Sequence, residues 1–136
     1  MKTSHILYAT DKNYLEITLA SILSLLENAQ LEEPILHLIT EKLEDDDYQK
    51  IEKVMHAYPQ IKYYIYPLED YHIEKYRIPE WKGSQVANSR LFFQEILAKQ
   101  LSEIDNLLYL DSDTIVVDQL NTLFSLPEHL VYASRD

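Results

Sequence analysis

A chain of 136 residues with 46% hydrophobic content is long enough to enclose one core. Its formal net charge of -11 argues against a nucleic-acid partner, because phosphate backbones are met chiefly by clustered Lys and Arg. Cysteine is absent and the only glycine is Gly83, which excludes disulfides, thiolate metal sites, the GxGxxG dinucleotide turn and the GxxxxGK phosphate loop at once.

An anionic ligand would therefore need a metal ion or a local cation. Met1-Lys2-Thr3-Ser4-His5 leads straight into an apolar run of strand length, not the longer apolar segment of a signal peptide. No stretch approaches the ~20 apolar residues of a membrane span, so a cytoplasmic protein is the default expectation. Repeats and low-complexity tracts are missing, and residues 1–136 read as a single unit.

Ile6-Leu7-Tyr8-Ala9-Thr10 reads as a buried first strand, left through the polar turn Asp11-Lys12-Asn13. Leu15, Leu19, Ile22, Leu23 and Leu26 fall at helical spacing and predict a helix over 14–27 with one face on a sheet. Pro34 introduces a second strand, Ile35-Leu36-His37-Leu38-Ile39, apolar on both faces. A second helix over 44–58 carries Tyr48, Ile51 and Met55 on one side. Asp45, Asp46 and Asp47 sit in its first turn, where they complement the helix dipole. Ile61-Lys62-Tyr63-Tyr64-Ile65-Tyr66 is a third strand, and βαβαβ favours a parallel sheet with helices on both faces.

Between 67 and 82, Tyr71, His72, Tyr76 and Trp81 lie among charges and prolines, as in an irregular loop whose aromatics anchor in the core or stack on a sugar. A helix is expected from 84 to 97 or 100, with Leu91, Phe92, Glu95 and Ile96 near helical spacing and Arg90 as its one basic residue before Lys99. A strand over 106–110 follows, then Asp111-Ser112-Asp113, a short strand over 114–117, a packed turn around Leu120, Leu123, Phe124 and Leu126, and a further strand beginning at Val131. Extended backbone through the acidic stretch would put Asp111 and Asp113 on one face and Ser112 on the other. Two carboxylates placed so repel each other, unless a hard cation such as Mg²⁺ or Mn²⁺ sits between them and a phosphate-bearing ligand. In doubly wound sheets ligands collect at the carboxyl ends of the strands, where Thr10-Asp11-Lys12-Asn13 and Asp111-Ser112-Asp113 would converge.

Three stretches, Tyr8-Ala9-Thr10-Asp11-Lys12-Asn13-Tyr14, Asn88-Ser89-Arg90-Leu91-Phe92 and Leu108-Tyr109-Leu110-Asp111-Ser112-Asp113-Thr114-Ile115-Val116, resemble glycosyltransferase family 8 in that order. That family includes bacterial lipopolysaccharide galactosyl- and glucosyltransferases and glycogenin. The resemblance implies an α/β GT-A fold, Rossmann-like, with a mostly parallel sheet flanked by helices. It also implies retaining transfer of a hexose from a UDP-sugar donor to a saccharide or glycoconjugate acceptor. Ala9, Thr10, Asp11, Asn13 and Tyr14 would hold the nucleoside, Asp111 and Asp113 the metal (Mn²⁺ or Mg²⁺) and through it the diphosphate. Ser112 would lie beside the ribose and Arg90 near the diphosphate and sugar. No nucleophile can be named.

A haloacid-dehalogenase-like phosphatase also uses a strand-end DxD, but it wants Gly-Thr after the second Asp and a downstream lysine. Asp113 is followed here by Thr114-Ile115, and no lysine follows it. A non-catalytic nucleotide- or sugar-binding or interaction module built on a transferase half is the other alternative. The family's later His-x-x-Gly-x-x-Lys stretch, which supplies a third metal ligand, is not in this sequence. The chain is accordingly expected to be the donor-binding half, incomplete at its C-terminus, and to bind nucleotide or metal weakly by itself.

Overall fold

The computed structural model describes residues 3–71, 77–80, 84–127 and 131–133. Strands β1 (Ser4–Asp11), β2 (Pro34–Glu41), β3 (Lys62–Pro67) and β4 (Leu107–Tyr109) form one sheet in the order β3-β2-β1-β4, with every pairing parallel. Helices α1 (Leu15–Asn28) and α2 (Asp45–His56) connect the first three strands. They share one face of the sheet. Ile6, Tyr8, Leu36 and Leu38 pack there against Leu15, Leu19, Ile22 and Leu25 of α1 and Ile51 and Met55 of α2. On the opposite face Leu7, Ala9, Ile39 and Tyr66 meet Val86, Ile96 and Leu97, with Tyr71 packed at the margin. The alternation follows from the pleat: odd residues of β1 look to one layer, even residues to the other. Each layer keeps water off one side, so the sheet interior is covered on both.

The expected βαβαβ core is present, with the element ends moved by a residue or two. The acidic start of α2 is a helix terminus: Glu44 Oε accepts from Asp47 N–H, while Asp47 Oδ2 accepts from Glu44 N–H at 2.9 Å. Four expectations need correction. The buried stripe of α1 is Leu15, Thr18, Leu19, Ser21, Ile22 and Leu25, and Leu23 is exposed; small polar residues, silent in a hydrophobicity count, fill the face instead. The helix expected over 84–97 is broken into α3 (Val86–Ser89), a 3₁₀ turn (Arg90–Phe92) and α4 (Phe93–Ile96). The break lets the adjacent Phe92 and Phe93 both pack on the core while Leu91 turns outward. Residues 114–117 lie in no strand. Ser24 Oγ accepts from Val116 N–H at 2.9 Å and Asn28 Nδ2 donates to Val116 O at 2.8 Å, so α1 side chains take the place of a neighbouring strand. Val131, Tyr132 and Ala133 are exposed and lie in no strand. His72, Tyr76 and Trp81 lie outside the described residues.

Candidate functional site

Pairing of His5 with Leu107 and of Leu7 with Tyr109 fixes β4 alongside the first half of β1, and Leu110 N–H continues the ladder to Leu7 O at 3.0 Å. β1 runs on beside β2 to Asp11 while β4 ends at Tyr109, and the backbone that follows β4 brings Asp111 and Ser112 to the end of β1 that holds Ala9, Thr10 and Asp11. Ser112 Oγ closes the gap by donating to Ala9 O at 3.0 Å.

The acidic pair does not sit on extended backbone. Thr114 N–H reaches Asp111 O at 3.3 Å, which makes 111–114 a β-turn with Ser112 and Asp113 at its corners. Both carboxylates are exposed, and Ser112 points inward against β1. The turn is held from beneath by hydroxyls. Thr114 Oγ1 donates to Asp111 O at 2.7 Å, so its remaining contact with Ser21 Oγ at 3.1 Å must be an acceptance. Ser21 then accepts from Tyr8 O–H at 2.9 Å. Each hydroxyl owns one proton, so the chain runs one way, from Tyr8 to the carbonyl of Asp111. Burial drives the Tyr8 phenol up to about 12, which keeps that proton in place at neutral pH.

Arg90 approaches from the other layer. Its Nη1 lies 3.4 Å from Asp111 Oδ1, and its guanidinium stands 5.0 Å over the Tyr109 ring. Partners exposed to this degree contribute at most about 1 kcal/mol, so the pair orients more than it stabilises. Burial, and after it the Asp111 carboxylate, raise the Tyr109 phenol and keep it protonated. On the β1 side, Asp11 Oδ1 accepts from Tyr14 N–H at 3.0 Å at the entrance to α1, while Asn13 and Tyr14 are exposed. Lys12 is drawn toward α2 by Glu44 at 2.7 Å and Asp47 at 3.9 Å.

The structure thus gathers Ala9, Thr10, Asp11, Arg90, Asp111 and Ser112 at one end of the sheet, with Asn13, Tyr14 and Asp113 on the exposed rims of the two turns. Tyr8, Ser21 and Thr114 were missed in the sequence. Thr114 follows the acidic pair directly, but nothing in the linear chain shows that Ser21 lies beneath it. The donor set suits a hard cation: two exposed carboxylates on one turn supply oxygen ligands and leave coordination positions for water or phosphate. Among the described residues no third His, Asp, Glu or Cys joins them. No described helix is long and apolar enough to cross a membrane.

A family model described as glycosyl transferase family 8 matches residues 5–136. The Arabidopsis thaliana protein named "Probable galacturonosyltransferase-like 2" is 30% identical over 141 residues, covering 99% of this chain and 40% of that protein. "Probable galacturonosyltransferase-like 4" of the same plant is 27% identical over 125 residues, 88% of this chain and 34% of the relative. Among solved structures, the galactosyltransferase LgtC in complex with donor and acceptor sugar analogs superposes with a TM-score of 0.68 at 21% identity, over 90% of this chain and 42% of LgtC. The bifunctional glycosyltransferase WbbM superposes with a TM-score of 0.69 at 18% identity, over 92% of this chain and 21% of WbbM. The shared fold is GT-A, and this chain spans less than half the length of each of these relatives.

Proposed function

We propose, since the chain belongs to glycosyltransferase family 8, that it forms the donor-binding part of a retaining transferase that moves a hexose or hexuronic acid from a UDP-linked donor to a saccharide or glycoconjugate acceptor. The observation that carries this reading is the docking of the Asp111-Ser112-Asp113 turn on the end of β1 through Ser112 and Ala9, with Arg90 on Asp111. On this reading one end of the sheet would offer a nucleoside cradle, two carboxylates for a metal ion and a cation.

Asp111 and Asp113 would hold Mn²⁺ or Mg²⁺. When bound, the ion supplies a Lewis acid that offsets the charge of the diphosphate. Arg90, free to leave Asp111 because their pair is weak, would turn to the phosphoryl oxygens and meet the charge that builds as UDP departs. Ala9, Thr10, Asp11, Asn13 and Tyr14 would receive the base and ribose, with Ser112 beside the ribose. The one-way hydroxyl chain under Asp111 fixes the turn before any ligand arrives, so little ordering cost is left for binding. Galacturonic acid is one candidate sugar, from the names of the plant relatives.

Calorimetric titration with UDP tests the reading. Binding is expected with Mn²⁺ present, absent after chelation with EDTA, and lost in the Asp111→Ala plus Asp113→Ala variant, whose melting temperature should stay within a few degrees because both side chains are exposed. UDP affinity that ignores both the metal and the double substitution would sink the proposal.

A further inference from the structure

Glu41 is the last residue of β2 and is only 6% exposed. It lies in register beside Asp11, itself buried, so the sheet ends in two neighbouring acids in a chain that is already strongly negative. Such a placement is costly unless the carboxylate is well supplied with donors. Ser84 Oγ donates to Glu41 Oε2 at 2.7 Å, and Gln85 N–H is shared between Oε2 at 3.1 Å and Oε1 at 3.3 Å. Ser84 Oγ also accepts from Val86 N–H at 3.2 Å, so the carboxylate and its hydroxyl partner take up the first amides of the segment that opens α3.

That segment carries Arg90. Val86 is four residues, about one helical turn, ahead of it, and the turn between them is internally braced. Asn88 and Ser89 N–H both reach Gln85 O at 3.1 Å, and Ser89 Oγ donates to Val86 O at 2.5 Å. Side-chain bonds from Gln85 Nε2 to Ile78 O at 3.0 Å and from Asn88 Nδ2 to Pro79 O at 2.9 Å tie the same turn to residues 78–79, which belong to no strand. Among the described residues, Glu41 is a polar attachment of this turn to the sheet itself.

We infer that Glu41 is a positioning residue for Arg90: by anchoring the start of α3 to the end of β2, it sets the height at which the guanidinium meets Asp111, Tyr109 and an incoming diphosphate. The inference rests on the donor-binding reading for its ligand but not for its mechanics, and two readouts separate them. Arg90 stands over the Tyr109 ring, so its guanidinium NMR signals carry a ring-current shift, assignable by their loss in Arg90→Lys. In the ligand-free full chain, Glu41→Ala should move these signals toward the position of free arginine. Glu41→Gln, which keeps one acceptor oxygen, should move them less. In titrations with UDP and Mn²⁺, Glu41→Ala should weaken binding about tenfold in the parent chain and less than about twofold when Arg90 is already Ala, as coupled sites do.

Arg90 signals that stay in place in folded Glu41→Ala and Glu41→Gln would overturn the inference. So would an equal loss of UDP affinity with and without Arg90. Shifted Arg90 signals in a chain whose parent binds no UDP would sustain the positioning role while overturning the donor reading. If Glu41→Ala does not fold, Glu41→Gln supplies the same comparisons.

Discussion

His37 is 1% exposed in the middle of the sheet and stacks with His5, Tyr64 and Tyr66. The hydrogen bonds assign every proton. His5 Nε2–H donates to Glu103 O at 3.1 Å, His37 Nε2–H to His5 Nδ1 at 2.9 Å, and Tyr66 O–H to His37 Nδ1 at 2.8 Å. Both rings are neutral in this arrangement; a second proton on His5 Nδ1 would face the proton on His37 Nε2, and one on His37 Nδ1 would oblige the Tyr66 hydroxyl to turn and accept. Burial first, then the neighbouring His5, brings His37 down to about 4. Burial also lowers His5, opposed by the Glu103 carbonyl and by the charges of Asp105 and Glu103. Burial raises Tyr66, so its proton stays. The folded state therefore binds fewer protons than the unfolded chain between the two histidine values. The stability this provides is complete above about pH 6.5 and is lost as pH falls toward 4. We predict a loss of up to about 3 kcal/mol from this source across that window. Urea unfolding at pH 7 and pH 4.5 measures it, and the slope should flatten in His37→Leu. On the other side of β1, Ser112→Ala should cost about 1 kcal/mol by removing the bond to Ala9 O and should weaken Mn²⁺-dependent UDP binding.

Between elements, the contact with most bearing on the site is α1 with residues 114–117. Val116 is buried, its N–H ends on Ser24 and its carbonyl takes Asn28, while Ile115 and Val117 look outward. Removing either α1 side chain strands a backbone group, so Ser24→Ala or Asn28→Ala should cost about 1–3 kcal/mol. Amide exchange at Val116 should speed up in Ser24→Ala even where circular dichroism does not change. The same contact explains what could and could not be read from the chain. Alternation at 114–117 reads as a strand because burial on one side of an extended segment looks alike whether a strand or a helix supplies the partner. The acidic pair and Arg90 were legible as residue types. The β-turn that presents the pair was not, since the bond from Thr114 back to Asp111 leaves no periodic trace. Strands β1 to β3 were plain because apolar runs of that length, spaced by helices, have few other homes. The interruption between α3 and α4 was not, because it comes from two adjacent phenylalanines both finding the core. Glu41 escaped notice as one more acid among many.

At the scale of the whole molecule, a charge of -11 both draws cations toward the acidic turn and repels free nucleotide. Raising NaCl from about 0.02 M to about 0.5 M should weaken Mn²⁺ binding several-fold by screening that attraction, as titration at the two salt concentrations would record. Sheet order adds a consequence in time. β1, β2 and β3 are joined by short crossovers and lie side by side, whereas β4 returns to β1 from about a hundred residues away, His5 meeting Leu107. Closing so long a loop is slow beside the local pairings. A chain emerging from the ribosome N-terminus first can build three strands and two helices before the acidic turn has been synthesised. Pulse-labelled amide exchange during refolding should therefore protect Leu38 and Ile39 before Leu108 and Tyr109, and simultaneous protection would contradict this order. The turn that follows β1 would exist for a while without its acidic neighbour, and, on the donor-binding proposal, competence to hold a metal ion would come last.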